Sequence, residues 1–480
     1  MENKRGQWGS SFGFLMAAVG SAVGLGNIWG FPYKMGANGG GAFLLIYLIL
    51  VVVVGFATML GELALGRKYG RGAVGTYAAI GKKWTWVGYM GVASGFFILA
   101  FYSVLGGMVL RYMVGFIAEM FGMTGFGGLG SGEFFGGFTT NAGSMLIYYA
   151  IFMVLNIIIV SGGIEGGIEK FSKIAMPALA AILVVIIVYV AVQPGAGAGY
   201  AFMFVPKFEA FATNGFFNIL RTAAGQMFFS LSLGMGCMIT YGSYLGKEQN
   251  LDTNMVIIPV ADTCIAIMAG MAVMPACAAF GMDYGRGPGL LFVTLHEVFS
   301  TGMGGFIGSL MGFLFYFLVL IAAVTSSISL LEVCTAYLID KKIEKGEEPD
   351  RKKLTLIIAS IIFVVGIPVA LDGLGAGRAG GAALDIPATF LGITENIPMA
   401  VDCWLDLYDC LAEGIMMPLG ALMMSILIGW VLGTKVIKDE VEETAGVKLT
   451  MYKFMEICFK FIVPVIMAIV LISQIMDFFG

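Results

Sequence analysis

Long apolar runs separated by short polar stretches set the rhythm of this chain. Residues 46–59, 179–192 and 354–371 are examples, each within a stretch near the ~20 residues needed to cross a bilayer. Eleven such segments are readable, at roughly 11–36, 41–65, 86–118, 144–162, 171–193, 215–245, 254–281, 305–339, 354–372, 397–432 and 454–478. They predict an all-α membrane protein with eleven transmembrane helices. The polar stretches between them are too short to hold a separate activity, so residues 1–480 read as one domain. The stretch 283–304, with Pro288 and the only histidine, His296, is a long outer loop and a candidate cap for a vestibule. Residues 341–353 read as a solvated inner loop.

Charge orients these segments. With the N-terminus inside, the inner stretches are the N-terminal tail, 66–85, 163–170, 246–253, 340–353 and 433–453. Together with Lys173 they hold 20 of the 27 Lys and Arg; Lys34, Arg111, Lys207, Arg221, Arg286, Arg378 and Lys460 are the rest. Cytoplasmic loops collect such residues. The N-terminus is therefore expected in the cytoplasm of a cell (inner) membrane protein, and an odd number of spans puts the C-terminus outside. The polar start of the chain precedes no small-residue cleavage site, so the first apolar helix is expected to be retained.

Composition narrows the class further. Charged residues make up 12% of the chain, against about a quarter in soluble domains. The net charge of −4 comes without a basic face for nucleic acid. Seven cysteines at unpaired spacings lie in or beside apolar spans, which implies neither a disulfide framework nor a zinc site. Neither a His-Glu-x-x-His pair nor a phosphate-binding G-x-x-x-x-G-K-[ST] loop is present, which argues against an intramembrane protease and against ATP as driving force.

Two spans are interrupted. The first contains Gly20-Ser21-Ala22-Val23-Gly24-Leu25-Gly26-Asn27, the sixth Ser230-Leu231-Ser232-Leu233-Gly234-Met235-Gly236. Two glycines within three residues permit the backbone angles that unwind a helix. Backbone polar groups freed in lipid must be met by protein or a watery cavity, and the exposed half-helix ends favour ions. Breaks in spans one and six predict two five-helix repeats, 11–193 and 215–432, with 454–478 an appended eleventh helix. The other reading of these glycines is close helix packing by small residues.

At these residues the chain resembles the neurotransmitter:sodium symporter family, particularly its bacterial amino-acid transporters with the LeuT-type fold. The matching stretches are Gly20 to Trp29 with Phe31-Pro32-Tyr33, Asn38-Gly39-Gly40-Gly41-Ala42-Phe43, Gly61-Glu62 with Gly66-Arg67, Gly225 to Gly234, and Thr325-Ser326-Ser327. The resemblance implies a sodium-coupled symporter that imports neutral amino acids by alternating access, with two sodium ions. One sodium site is implied at Ala22, Asn27, Ser230 and Asp262, together with the substrate carboxylate. The second is implied at the backbone of Gly20, Val23 and Ala322 with the hydroxyls of Thr325 and Ser326. Oxygen ligands suit a hard cation, although a Thr-Ser pair in an apolar helix also bonds back to its own helix.

Asp262 is an intramembrane carboxylate, a costly residue and usually a functional one. Many chloride-dependent relatives have a neutral amide at this place, so a fixed negative charge predicts chloride independence; proton uptake by Asp262 on the return step is a further hypothesis. Gly24 stands where monoamine carriers place an aspartate, which implies a ligand that brings its own carboxylate. Tyr102 and the N–H groups of Leu25 and Gly26 are implied to hold that carboxylate. Ile98, Phe229, Ser232, Met235, Ser326, Ser329 and Leu330 are implied as the wall, with Ala22, Gly24 and Ser230. An apolar wall with an adaptable methionine favours a hydrophobic or aromatic side chain and discriminates poorly among them.

Arg5, Trp8, Ser243, Tyr244 and Asp340 resemble the family's cytoplasmic latch, and Phe229 with Tyr102 its thin outer lid. Gly30 departs from the family, which usually has an arginine there to pair with the acid matched by Asp409; Lys34 and Arg221 are the candidate substitutes. Two other readings keep the same architecture. An amino-acid sensor would bind without flux. A proton-coupled permease often has a lysine where Thr325 and Ser326 stand.

Overall fold

The computed structural model describes residues 5–282, 289–375, 403–444 and 446–479. Helices occupy every one of the eleven apolar segments within those residues. Nine are long and apolar enough to span by themselves: Gly41–Tyr69, Lys82–Met120, Ala142–Ser161, Ile164–Ala191, Leu251–Ala279, Gly305–Glu344, Arg351–Leu371, Trp404–Leu432 and Tyr452–Met476. The first segment is a pair, Ser11–Ala22 and Gly26–Ala37, bent by 49° at the break. The sixth is likewise two pieces, Phe216–Ser230 and Cys237–Gly242, each too short to span. Residues 397–402 of the tenth predicted segment lie outside the described residues, as do Asp283, Arg286, Pro288 and Arg378.

Local chemistry fixes where the helices begin and end. Ser10, Asn141, Asn250 and Asp350 each accept a backbone N–H of the first turn from their own side chains, meeting donors that a helix start leaves unpaired. Gly70, at φ 59°, ends Gly41–Tyr69 in the left-handed conformation that glycine adopts without strain.

Close helix packing is also part of what the glycines do. A Cβ on Gly66 would sit 2.0 Å from the Ile239 carbonyl oxygen, and one on Gly242 would sit 2.6 Å from that of Leu63. The second span therefore touches the half-helix Cys237–Gly242 backbone to backbone. The long Gly305–Glu344 and Lys82–Met120 helices cross with extensive burial, and the broken first span packs against both Gly305–Glu344 and Leu251–Ala279.

The described part of the stretch after the seventh span is helical where the sequence predicts a loop. Residues Leu290–Met303 form an apolar helix, buried against the third and eighth spans. Tyr316 donates to the Leu291 carbonyl at 2.6 Å, and His296 Nδ1 lies 2.8 Å from Ser131 Oγ. Rings of Tyr112, Phe116, Phe126 and Phe134 surround His296. None of the described residues of this helix lines the vestibule, which corrects the reading of this stretch as a capping loop.

Candidate functional site

The two breaks face each other at the centre of the bundle. In the first span Gly20 and Val23 lose the donors a continuous helix would bring them. The N–H of Gly24 turns to Asn27 Oδ1 at 2.9 Å, and that of Asn27 to the Gly24 carbonyl at 3.1 Å. In the sixth, Ser232, Gly234 and Gly236 all have positive φ. Ser232 does so at φ 53° without being glycine, a conformation that costs about 1–2 kcal/mol. Its hydroxyl donates to the Ser21 carbonyl at 2.8 Å, tying one break to the other.

Five of the oxygens singled out in the sequence converge between the first and eighth spans. Ser326 Oγ lies 3.3 Å from Gly20 O and 3.1 Å from both Ser21 O and Val23 O. Thr325 Oγ1 lies 3.4 Å from Val23 O and 3.0 Å from Ala322 O and Ile321 O. Thr325 thus bonds back to its own helix and reaches across at once. Each hydroxyl has one proton to share among several carbonyls. The cluster is rich in acceptors and poor in donors, the arrangement a hard monovalent cation satisfies.

A second cluster surrounds Asp262, which is fully buried. Asn27 Nδ2 donates to its Oδ1 at 2.7 Å, and Ser230 Oγ to its Oδ2 at 2.9 Å. One carboxylate therefore joins the first, sixth and seventh spans. Asn27 and Asp262 are 235 positions apart in sequence.

Beside the hydroxyl of Ser326 lies a cavity with about 290 Å³ of empty space. It is lined by Ser21, Ala22, Gly24, Gly26, Ile98, Tyr102, Phe229, Ser232, Met235, Ser326 and Leu330. Ser329 sits behind the lining, donating to Ser326 O and accepting from Ser21 Oγ, both at 2.7 Å. The Tyr102 hydroxyl accepts from Leu25 N at 2.9 Å, so that N–H is engaged within the protein. Gly24 needs its missing side chain: a Cβ there would come within 2.4 Å of Ser326 Oγ and 2.7 Å of the Tyr102 hydroxyl.

Tyr102 and Phe229 also line a larger chamber of about 900 Å³ and so stand between the two spaces. In that chamber Lys34 Nζ pairs with Glu413 Oε1 at 2.9 Å, beside Asp409 and Asp406. Arg221 bonds Asn218 on its own helix at 2.8 Å and is not part of the lining. Sequence reasoning missed Glu413, whose signal was its place one helical turn beyond Asp409.

At the opposite end Arg5 Nε pairs with Asp340 Oδ1 at 2.7 Å, both largely buried. The same guanidinium donates to Ser243 Oγ at 3.1 Å and lies 4.9 Å from the Tyr244 ring centroid. Trp8 Nε1 donates to Tyr241 O at 3.1 Å, closing the group over the core. Two further buried groups were not assigned a role from sequence. Glu62 accepts the Gly234 N–H at 2.6 Å, and Gln226 Nε2 donates to Gly26 O at 2.7 Å, so each props one break open.

The chain is similar to known proteins along nearly its whole length. The sequence profile described as the Sodium:neurotransmitter symporter family matches residues 5–122 and 137–376. The sodium-dependent transporter YhdH of Bacillus subtilis is 33% identical over 479 residues, 99% of this chain and 98% of its own length. A sodium-dependent transporter of Haemophilus influenzae is 32% identical, over 98% of this chain and 99% of its own length. Among solved structures, MhsT in complex with L-phenylalanine superposes with a TM-score of 0.84 at 36% identity, covering 98% of this chain and 100% of that one. The interrupted helices, the full-length kinship and the shared LeuT-type fold lead to one conclusion: this chain is a multi-pass, sodium-dependent membrane transporter and belongs to the Sodium:neurotransmitter symporter family.

Proposed function

We propose that the protein couples two sodium ions to the uptake of a neutral L-amino acid with a hydrophobic or aromatic side chain, independently of chloride. The carrying observation is the donor-poor ring of oxygens from Gly20, Val23, Ala322, Thr325 and Ser326, placed beside the lined cavity. This ring is the proposed second sodium site. Asn27, Asp262, Ser230 and Ala22 form the proposed first, where the substrate carboxylate completes the ligands. Asp262 supplies a fixed negative charge there, which removes the need for an anion from solution.

The amino acid would lie in the cavity with its carboxylate toward Tyr102 and the first-span break. Its side chain would lie against Ile98, Phe229, Met235 and Leu330, a wall that is mostly apolar. MhsT, a similar solved structure, is in complex with L-phenylalanine, which supports the aromatic end of this range. Phe229 and Tyr102 form the lid toward the larger, outward chamber. The Arg5–Asp340 latch closes the cytoplasmic side, in keeping with the N-terminus inside. Alternating access then requires the latch to part as the lid closes, with spans 1, 2, 6 and 7 tilting against 3, 4, 8 and 9.

The driving force suffices. Each sodium moving inward gains ~2.3 kcal/mol per 100 mV and roughly 1.4 kcal/mol per tenfold gradient. Two ions give about 7 kcal/mol, enough for roughly 10⁵-fold accumulation of a zwitterion. The test is uptake of a mixture of labelled amino acids into proteoliposomes under inward sodium or potassium gradients. Accumulation of an apolar or aromatic amino acid only with sodium is expected. Sodium-dependent binding without accumulation would replace the symporter with a sensor, and indifference to sodium would remove both ion sites.

A further inference from the structure

The inner end of the first span is held at a second place, apart from the ion sites, the cavity and the Arg5 latch. Glu169, near the start of the fifth span, is buried. Its Oε2 accepts the Gly9 N–H at 2.7 Å, and its Oε1 accepts the Ser10 hydroxyl at 2.9 Å. Lys173, one turn along the same helix, pairs with that Oε1 at 2.6 Å and keeps the carboxylate aimed. Ser10 is the cap of Ser11–Ala22 and accepts the Gly13 N–H at 3.0 Å. A short chain of hydrogen bonds thus runs from the first turn of the first span to the fifth.

The backbone leaves room for this contact. A Cβ on Gly13 would overlap the Glu169 carboxylate. Three donors meet the buried charge, and two of them belong to the segment that leads into the first span. A buried carboxylate is costly to leave without its partners. Moving the inner half of the first span away from the fifth strips two of those partners, and that cost falls on the inward-open form alone.

We propose that Glu169 is a positioning residue for transport, a second inner clasp that sets how readily the first half-helix swings away to open the cytoplasmic side. The two clasps grip different spans, Asp340 on the eighth holding Arg5 and Glu169 on the fifth holding Gly9 and Ser10. The clasp deepens the alternating-access reading on which it rests.

Hydrogen–deuterium exchange of the purified full-length protein, read by mass spectrometry in potassium buffer, tests it. The sodium ring plays no part under that condition. A protein that opens here but carries no substrate would fail the transport reading and not this one. Glu169→Gln keeps the size of the side chain and removes its charge. Amides of residues 9–14 should exchange roughly tenfold faster or more, the factor for one lost hydrogen bond to a charged group. Residues 237–245 should follow, although they lie on another span, because Trp8 packs on Tyr241 and donates to its carbonyl at 3.1 Å. Residues 351–371 of the ninth span should be unchanged, which separates an opened clasp from a weakened fold. Gly13→Ala pushes a methyl group into the same carboxylate and should speed exchange at the same two places, so it serves if the first variant does not fold. Added to Glu169→Ala it should speed exchange no further, since the carboxylate it strikes is gone. Faster exchange confined to residues 9–14, or extending to 351–371, or additive effects of Gly13→Ala and Glu169→Ala, overturns the proposal.

Discussion

Thr325→Val separates the proposed ion site from the fold. Valine has nearly the shape of threonine, so the buried volume between the first and eighth spans is preserved. What disappears is Oγ1, which lies 3.0 Å from Ala322 O, 3.0 Å from Ile321 O and 3.4 Å from Val23 O. The helix loses little, because bonds of a hydroxyl to its own preceding turn contribute weakly to helix stability. The proposed ion site loses one of five oxygens. Taking the ~1.5–3 kcal/mol of a hydrogen bond to a charged group as a guide, sodium affinity should fall by roughly 10- to 150-fold. The assay is initial uptake of a labelled amino acid against sodium concentration at fixed ionic strength, with the melting temperature measured alongside. The half-saturating sodium concentration should rise by that factor, while the melting temperature stays near that of the parent. An unchanged sodium dependence in a folded variant would refute the placement of an ion at this ring.

Three other outcomes follow from the same geometry. Gly24→Ala drives a methyl group into Ser326 Oγ and the Tyr102 hydroxyl, and should abolish both uptake and sodium-dependent substrate binding; retained binding would show that the cavity is not the substrate site. Asp262→Asn removes the fixed charge shared by Asn27 and Ser230 and should make uptake dependent on chloride, read by exchanging chloride for gluconate. The third concerns pH. Burial, and secondarily the Arg111 charge, lowers the pKa of His296 to about 4. The folded state therefore favours the neutral ring, and its contribution is complete above the unfolded value of about 6.5. Stability should fall as pH drops from there towards 4, and a His296→Phe variant should show a flatter melting-temperature profile over that window. The same slope in both proteins would contradict this account.

The hydrophobic pattern located the long apolar helices because lipid imposes a simple rule, a run of apolar residues long enough to bury its own backbone. The breaks at Gly24 and at Gly234 to Gly236 were also legible, since glycine pairs and hydroxyl residues are out of place in a continuous apolar helix. Lys and Arg counts gave an orientation, and the motif residues marked the family.

Other features depend on chain elements that periodicity cannot relate. The apolar pattern of Leu290–Met303 is too short to span and by itself reads as loop, and only packing against Tyr112 and Tyr316 shows it to be a buried helix. Glu413 was an anonymous acid until folding placed it 2.9 Å from Lys34, 379 positions away. The donor-poor oxygen ring exists because the first span loses its own hydrogen bonds where the eighth presents two hydroxyls. Sequence determined which residues had chemistry to offer and which helix each would ride on. Tertiary structure decided which of them meet, because distances of a few ångströms between remote segments are set by how whole helices pack.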